Sequence, residues 1–173
     1  QTCCGQPLFN SGFRKDATAL AKRVIEGFDR NQHLVVPSGS CAAMIKVFYP
    51  ELFQNDPKLG PQEKALSPKT YDFPQFLPDV RGVTNVSASD PKRVTYHPSC
   101  HLLRELGVSD QPIELLRNIS GLEYIQLPEA DACCGFGGTF SVKYPSISES
   151  MLDDKVENLV ESGAEVVTAC DLG

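Results

Sequence analysis

The chain has 173 residues, enough for one large domain or two small modules, and its 41% hydrophobic and 22% charged residues are typical of a globular protein. This composition excludes a disordered tail, a collagen-like rod and a coiled coil. The formal net charge of -6 argues against a nucleic-acid-binding surface. Because no run of about 18 apolar residues occurs, no membrane span is predicted.

The first part of the chain predicts a helix and a strand that lead to a cysteine. Apolar residues recur at helical spacing on one face at Ala17, Leu20, Ala21, Val24, Ile25 and Phe28. A strand-like run follows from His33 to Val36, and a Pro-Ser-Gly-Ser turn then brings the chain to Cys41 and a new helix. Because a helix N-terminus favours negative charge, we expect the pKa of Cys41 to be lowered.

The middle of the chain, from Pro50 to Pro91, is rich in proline and predicts an irregular helical connection. Its Ala65 to Val80 part is expected to pack across the segments on both sides. No chemistry is evident in this stretch.

The last part of the chain repeats the order of the first. A predicted strand from Arg93 to Tyr96 leads to Cys100, and a second one, Glu165 to Thr168, leads to Cys170. Between them, a helix is predicted from the apolar positions Met151, Leu152, Val156, Leu159 and Val160. Acidic residues follow the solvated face of the same helix at Glu149, Asp153, Asp154, Glu157 and Glu161. Cys100, like Cys41, is expected at a helix start with a lowered pKa.

Two copies of a Cys-Cys-Gly tripeptide define an internal repeat. They are Cys3-Cys4-Gly5 and Cys133-Cys134-Gly135, and the next cysteine follows after 36 residues in one copy and 35 in the other. The repeat predicts an α/β fold of two similar modules, each with a small, mainly parallel sheet and flanking helices. We place the first module at residues 1–86 and the second at residues 92–173.

The cysteines are the candidate site residues. Carboxyl edges of parallel strands are where α/β folds bind ligands, so thiolates gathered there predict a soft-metal or iron–sulfur site. The second set is Cys100, Cys133, Cys134 and Cys170, and the first is Cys3, Cys4 and Cys41. Zinc is the alternative to iron, especially in the first module. Structural disulfides are disfavoured, since seven cysteines leave one unpaired. His97 and His101 flank Cys100 as cluster neighbours or as structural imidazoles.

Three stretches carry a resemblance to a known family. YHPSCHLLRELGV, LPEADACCGFGGTFSV and VVTACDLG resemble the cysteine-rich CCG-domain family, which includes the B subunit of heterodisulfide reductase and the iron–sulfur subunit of glycolate oxidase. QTCCGQPLFNSG and VVPSGSCAAM are similar to its lactate-utilisation branch. In this family a full module has a further cysteine at its end, and a strand and cysteine at its start. The chain is therefore expected to be a fragment that lacks the start of the first module and the last cysteine of the second.

The resemblance also implies a function. It implies a [4Fe-4S] cluster, of cubane or non-cubane type, in a cytoplasmic iron–sulfur subunit that works with a ferredoxin-like partner subunit in a multi-subunit complex. The implied reaction is oxidation of a 2-hydroxy acid, such as L-lactate to pyruvate. The alternatives are a heterodisulfide or thiol–disulfide oxidoreductase, whose vicinal thiols react directly, and a zinc-stabilised scaffold with no redox role.

Overall fold

Short parallel strands alternate with helices along the chain, in the order that the sequence pattern predicts. The computed structural model describes residues 3–28 and 32–171. Gln1, Thr2, Leu172 and Gly173, which belong to the motifs quoted above, lie outside the described residues. None of the described helices is long and apolar enough to cross a bilayer.

The first sheet pairs two parallel strands, β1 (Leu34–Val36) and β2 (Thr70–Asp72). Around it lie α1 (Gln6–Asn10), α2 (Arg14–Phe28), α3 (Gly39–Ala43), α4 (Tyr49–Phe53), α5 (Gly60–Leu66) and α6 (Phe73–Arg81). A π-helical turn, Met44–Phe48, joins α3 to α4. The core of this half is formed by α2 with α4 and α5, since Ala17, Ala21 and Ile25 are fully buried there. The predicted apolar face of α2 is therefore confirmed, except that Phe28 is exposed.

The second sheet has the strand order β4-β3-β5, with all neighbours parallel. Its strands are β3 (Arg93–His97), β4 (Glu123–Ile125) and β5 (Val166–Ala169), and its helices are α7 (Asp110–Arg117), α8 (Phe140–Lys143) and α9 (Pro145–Glu161). A π-helical turn, His101–Glu105, follows β3. Small parallel sheets with flanking helices confirm the predicted fold class. The module boundaries at 1–86 and 92–173 stay a prediction.

The middle stretch is more regular than its prolines suggest. β2, which the sequence analysis missed, adds a parallel strand to β1, and its Asp72 is fully buried. Prolines in the first turns of α4, α5 and α6 do not disrupt these helices, because an N–H at that position has no partner within the helix. The Gln111 side chain of α7 donates to the Asp79 carboxylate of α6 at 3.1 Å, so this stretch does reach the second half.

The helix predicted from Met151 to Val160 is confirmed as α9, but three of the apolar positions that predicted it are exposed. Leu152, Val156 and Val160 are 48%, 45% and 75% exposed, whereas Ser148 and Lys155 are the buried residues of this helix. Ser148 and Lys155 are buried because this side of α9 packs against the second Cys-Cys-Gly loop and the turn before it. Among the described residues, nothing covers the opposite, apolar side.

Candidate functional site

The two Cys-Cys-Gly loops have the same local geometry. The Gly5 N–H donates to the Cys3 sulfur at 3.4 Å, and the Gly135 N–H donates to the Cys133 sulfur at the same distance. Both glycines have positive φ angles, 91° and 81°, which L side chains rarely adopt. The glycine in each tripeptide thus directs a backbone N–H at a sulfur, and N–H donors of this kind stabilise thiolates and sulfur ligands.

A helix lies directly behind each loop. A Cβ on Gly5 would be 3.1 Å from the Ala17 carbonyl oxygen, while one on Gly135 would overlap the Ser148 carbonyl oxygen and lie 3.1 Å from the Met151 Cβ. The Ser148 hydroxyl also donates to the Gly135 carbonyl at 2.9 Å. The helices α2 and α9 are therefore structural equivalents, with Ala17 matched by Ser148.

The first cysteine set contains a close thiol pair. The Cys4 sulfur donates to the Cys41 sulfur at 3.1 Å, and the buried Tyr49 hydroxyl donates to the Cys4 carbonyl at 2.8 Å. The pKa of Cys41 is lowered to about 7, mainly by the hydrogen bond that Cys4 donates to it and to a smaller extent by its polar contacts with the Ser38 and Ser40 side chains. The same bond, together with burial, raises the pKa of Cys4. The predicted lowering at Cys41 is confirmed, and its main cause is the partner thiol.

In the second set, Cys133 and Cys134 lie near Cys100. Burial raises the pKa of Cys100, and the nearby thiols of Cys133 and Cys134 raise it further, against the opposing charge of Arg104. The expectation of a lowered pKa for this cysteine is therefore wrong, because burial and neighbouring thiols outweigh the helix start. Cys100 directly precedes one π-helical turn, and Cys41 lies in α3, three residues before the other; such turns are frequent at functional sites.

Cys170 lies at the contact between the two halves of the chain. Its carbonyl accepts a hydrogen bond from the Gly39 N–H at 2.8 Å, and burial raises the pKa of its thiol to about 11. The next residue, Asp171, accepts hydrogen bonds from the Ser40 N–H at 2.9 Å and the Ser38 hydroxyl at 2.5 Å. The end of β5 is thus joined to the start of α3, beside Cys41.

The donor chemistry suits a soft metal or an iron–sulfur cluster, but the described residues do not form a closed site. Cys4 contacts Cys41, and Cys100 neighbours Cys133 and Cys134. Within residues 3–28 and 32–171, no group of three or more His, Cys, Asp or Glu side chains is arranged to hold a metal ion. The seven-cysteine ligand set therefore stays a prediction.

The two histidines beside Cys100 differ in their contacts. The His101 Nε2 lies 2.7 Å from the Gln6 Nε2, which joins the second half to the residue after the first Cys-Cys-Gly. The pKa of His97 is lowered by burial and, to a smaller extent, by the charge of Lys155. Both effects disfavour the protonated form of His97.

Sequence analysis missed Lys155 and Asp72. Lys155 is 2% exposed, although its neighbours in the sequence indicated a solvated helix face. An alignment of α2 with α9, the helices behind the two Cys-Cys-Gly loops, could have revealed that Lys155 is buried. Since Ala17 matches Ser148, Lys155 matches the buried Val24, seven residues farther along. Burial of Asp72 raises its pKa to about 7, but a short Thr-Tyr-Asp run in a proline-rich stretch carries no strand pattern that could reveal this.

Comparison with known proteins gives consistent relatives. The family described as cysteine-rich domain (CCG) matches residues 1–46 and 94–172. The chain is 49% identical to lactate utilization protein A of Geobacillus thermodenitrificans and to that of Bacillus subtilis, over all of its own length and 72% of theirs. It is 47% identical to lactate utilization protein A of Lysinibacillus sphaericus, over 75% of that protein. The family matches include both Cys-Cys-Gly loops.

Proposed function

The chain belongs to the CCG cysteine-rich domain family and to its lactate utilization protein A branch. From that premise we propose that it is an iron–sulfur redox subunit of a complex that oxidises L-lactate to pyruvate. The observation that carries the proposal is the repeated loop geometry. In both halves, a glycine with positive φ directs its N–H at the first sulfur of a cysteine pair, and further cysteines lie beside that pair. Packing of a hydrophobic core does not require two loops that each direct an N–H at a cysteine sulfur, so the repeated geometry supports a sulfur-ligand role.

The residues that would hold the cofactor are the two cysteine sets. Cys100, Cys133, Cys134 and Cys170 would bind in the second half, and Cys3, Cys4 and Cys41 in the first. Oxidation of lactate to pyruvate releases two electrons and two protons, and a bound iron–sulfur cluster would supply one-electron uptake and release. The Gly5 and Gly135 N–H groups would stabilise the negative charge on sulfur. We propose further that the subunit is cytoplasmic and exchanges electrons with a ferredoxin-like iron–sulfur partner in the same complex.

The test is iron, zinc and acid-labile sulfide per chain, measured on protein purified without oxygen. The proposal predicts iron and sulfide in near-equal amounts. Zinc without sulfide would instead support a structural metal site and would contradict a redox role. Cys134→Ser should remove metal from the second set, and the matched variant Cys4→Ser should remove it from the first. Full metal content in both variants would refute the ligand assignment.

A thiol–disulfide oxidoreductase is the second candidate, favoured by the Cys4–Cys41 pair. A thiol with a pKa of about 7 whose sulfur lies 3.1 Å from a second thiol has the chemistry of such enzymes. The Cys41 thiolate would attack a substrate disulfide and release one thiolate. Cys4 would then displace the second, which leaves a Cys4–Cys41 disulfide and a reduced substrate. This candidate predicts metal-free protein that reduces an aromatic disulfide such as dithionitrobenzoate stoichiometrically, through these two cysteines.

A further inference from the structure

Lys155 is a buried cation with no carboxylate partner among the described residues. Its side chain is 2% exposed, and its ammonium group donates to the Glu129 carbonyl at 3.0 Å and to the Ala130 carbonyl at 3.2 Å. No carboxylate oxygen of the described residues lies within ion-pair distance of it. A charge removed from water without a counter-charge is costly, so its presence here requires an explanation.

Packing alone does not explain Lys155, because the equivalent position in the first half is apolar. Gly5 contacts Ala17 and Leu20 of α2, and Gly135 contacts Ser148 and Met151 of α9. Continuing both helices by one turn places Val24 opposite Lys155. Val24 is 6% exposed in the first half, so the repeat folds around a buried valine there. The cation is specific to the second half.

The contacts of Lys155 place it at the approach to the second cysteine pair. Glu129 and Ala130 belong to the turn that precedes Cys133, and Glu129 adopts a φ of 41°, which is rare for a residue with a side chain. Ser148 of the same helix holds Gly135, on the other side of the pair. Two side chains of one helix, Ser148 and Lys155, thus fix the backbone before and after Cys133-Cys134.

The neighbouring groups leave the charge uncompensated. The charge of Lys155 acts on His97, whose pKa is lowered by burial and then by this charge, and an imidazole carries no negative charge that could balance an ammonium group. Arg104, the other cation of this region, donates to the Asp131 carbonyl at 3.2 Å in the same turn. The second cysteine set is therefore bordered by two cations that bind backbone carbonyls.

We propose that Lys155 is a positioning residue that supplies the counter-charge for an anionic, thiolate-bound cluster at the second cysteine set. This inference rests on the proposed iron–sulfur function and deepens it by making the two sets unequal. A buried positive charge stabilises the reduced cluster, which carries one more negative charge, so the second cluster has the higher reduction potential of the two. Electrons therefore pass from the first set, which has Val24, toward the second.

The experiment measures the reduction potential of each cluster in the anaerobically purified full chain, by titration with dithionite monitored by electron paramagnetic resonance. Lys155→Gln keeps donors for the turn but removes the charge, and Lys155→Arg keeps the charge. The control Lys143→Gln removes one exposed charge from the same half. We expect Lys155→Gln to make one of the two clusters about tenfold harder to reduce, which is about 59 mV for a one-electron couple. The Arg variant and the control should match the wild type.

A second readout on metal-free protein tests the contact with the turn. Cleavage after Glu129 by a glutamate-specific protease should be about tenfold faster in Lys155→Met, because two hydrogen bonds from a charged donor are lost. Cleavage after Glu161, which Lys155 does not contact, serves as the internal control. Equal cleavage at Glu129 in this variant and in wild type would refute the positioning role.

The outcomes separate this inference from the function on which it rests. Wild-type protein that binds no iron refutes the iron–sulfur function. Wild-type protein with clusters, together with an unshifted Lys155→Gln variant, refutes the charge role alone. Loss of one cluster in the Gln variant with retention in the Arg variant supports the charge role. Loss in both variants overturns it, since geometry rather than charge would then be the requirement.

Discussion

Substitution of Gly135 by alanine tests whether α9 fixes the second Cys-Cys-Gly loop. The new methyl group would overlap the Ser148 carbonyl oxygen and lie 3.1 Å from the Met151 Cβ, so the loop or the helix would have to move. The left-handed backbone conformation, with φ at 81°, adds about 1–2 kcal/mol. Overpacking against backbone adds about 1–3 kcal/mol, and loss of the Ser148 hydrogen bond about 1 kcal/mol. The expected loss of stability is therefore about 3–6 kcal/mol.

Two other glycines provide matched controls for this variant. Gly138 has a φ of 63° but would place its Cβ in open space, so Gly138→Ala reports the backbone cost alone. Gly5→Ala should be intermediate, because its Cβ would lie 3.1 Å from the Ala17 carbonyl oxygen.

The assay is thermal unfolding of metal-free protein, followed by circular dichroism. At about 2–4 °C per kcal/mol for a chain of this size, Gly135→Ala should unfold about 5–15 °C below Gly138→Ala. Equal midpoints for these two variants would refute the tight contact between loop and helix.

Three further predictions concern residues around the two sets. Burial raises the pKa of Asp72 from 3.8 to about 7, so between these pH values the folded protein keeps a proton that the unfolded chain releases. The free energy of unfolding should therefore fall as pH rises from 3.8 to about 7. Asp72→Asn should remove about 4 kcal/mol of this fall, measured by urea unfolding at the two ends of the pH range. A variant as pH-dependent as wild type would contradict this assignment. Tyr49→Phe should cost about 1 kcal/mol in the same assay, since it leaves the Cys4 carbonyl unpaired. Asp171→Ala should cost about 1–3 kcal/mol through lost bonds to Ser40, and an unchanged midpoint would refute the contact between the halves.

The repeat shows how the sequence alone could predict the fold class. Two Cys-Cys-Gly tripeptides at matched spacing, each followed by a helix, a strand and a cysteine, predicted two similar α/β modules, and the parallel sheets confirm this fold. Such patterns are legible because helix and strand periodicities and cysteine spacing are local properties of the chain. The same cysteines, with the motifs around them, also identified the family.

Spacing alone could not predict the environment of the candidate site. β2 was missed because its three residues form a strand only by pairing with β1. The pKa of Cys100 was misjudged because burial and the approach of Cys133 depend on distant parts of the chain. The apolar positions of α9 predicted the helix but not which side of it is buried, and the buried residues are Ser148 and Lys155.

The sequence by itself determined the repeat, the cysteine pairs and the α/β class, because these depend on residues close together in the chain. Only the tertiary structure decided which side of α9 is buried, where the Lys155 charge lies, and that Gly39 binds the carbonyl of Cys170. The physical reason is that burial and electrostatic neighbours are set by segments far apart in sequence, such as Gly39 and Cys170, which have 130 residues between them. Such long-range contacts bury Lys155, although nearby acidic residues in the sequence are exposed, and place it where we propose that it supplies the counter-charge for the second cysteine set.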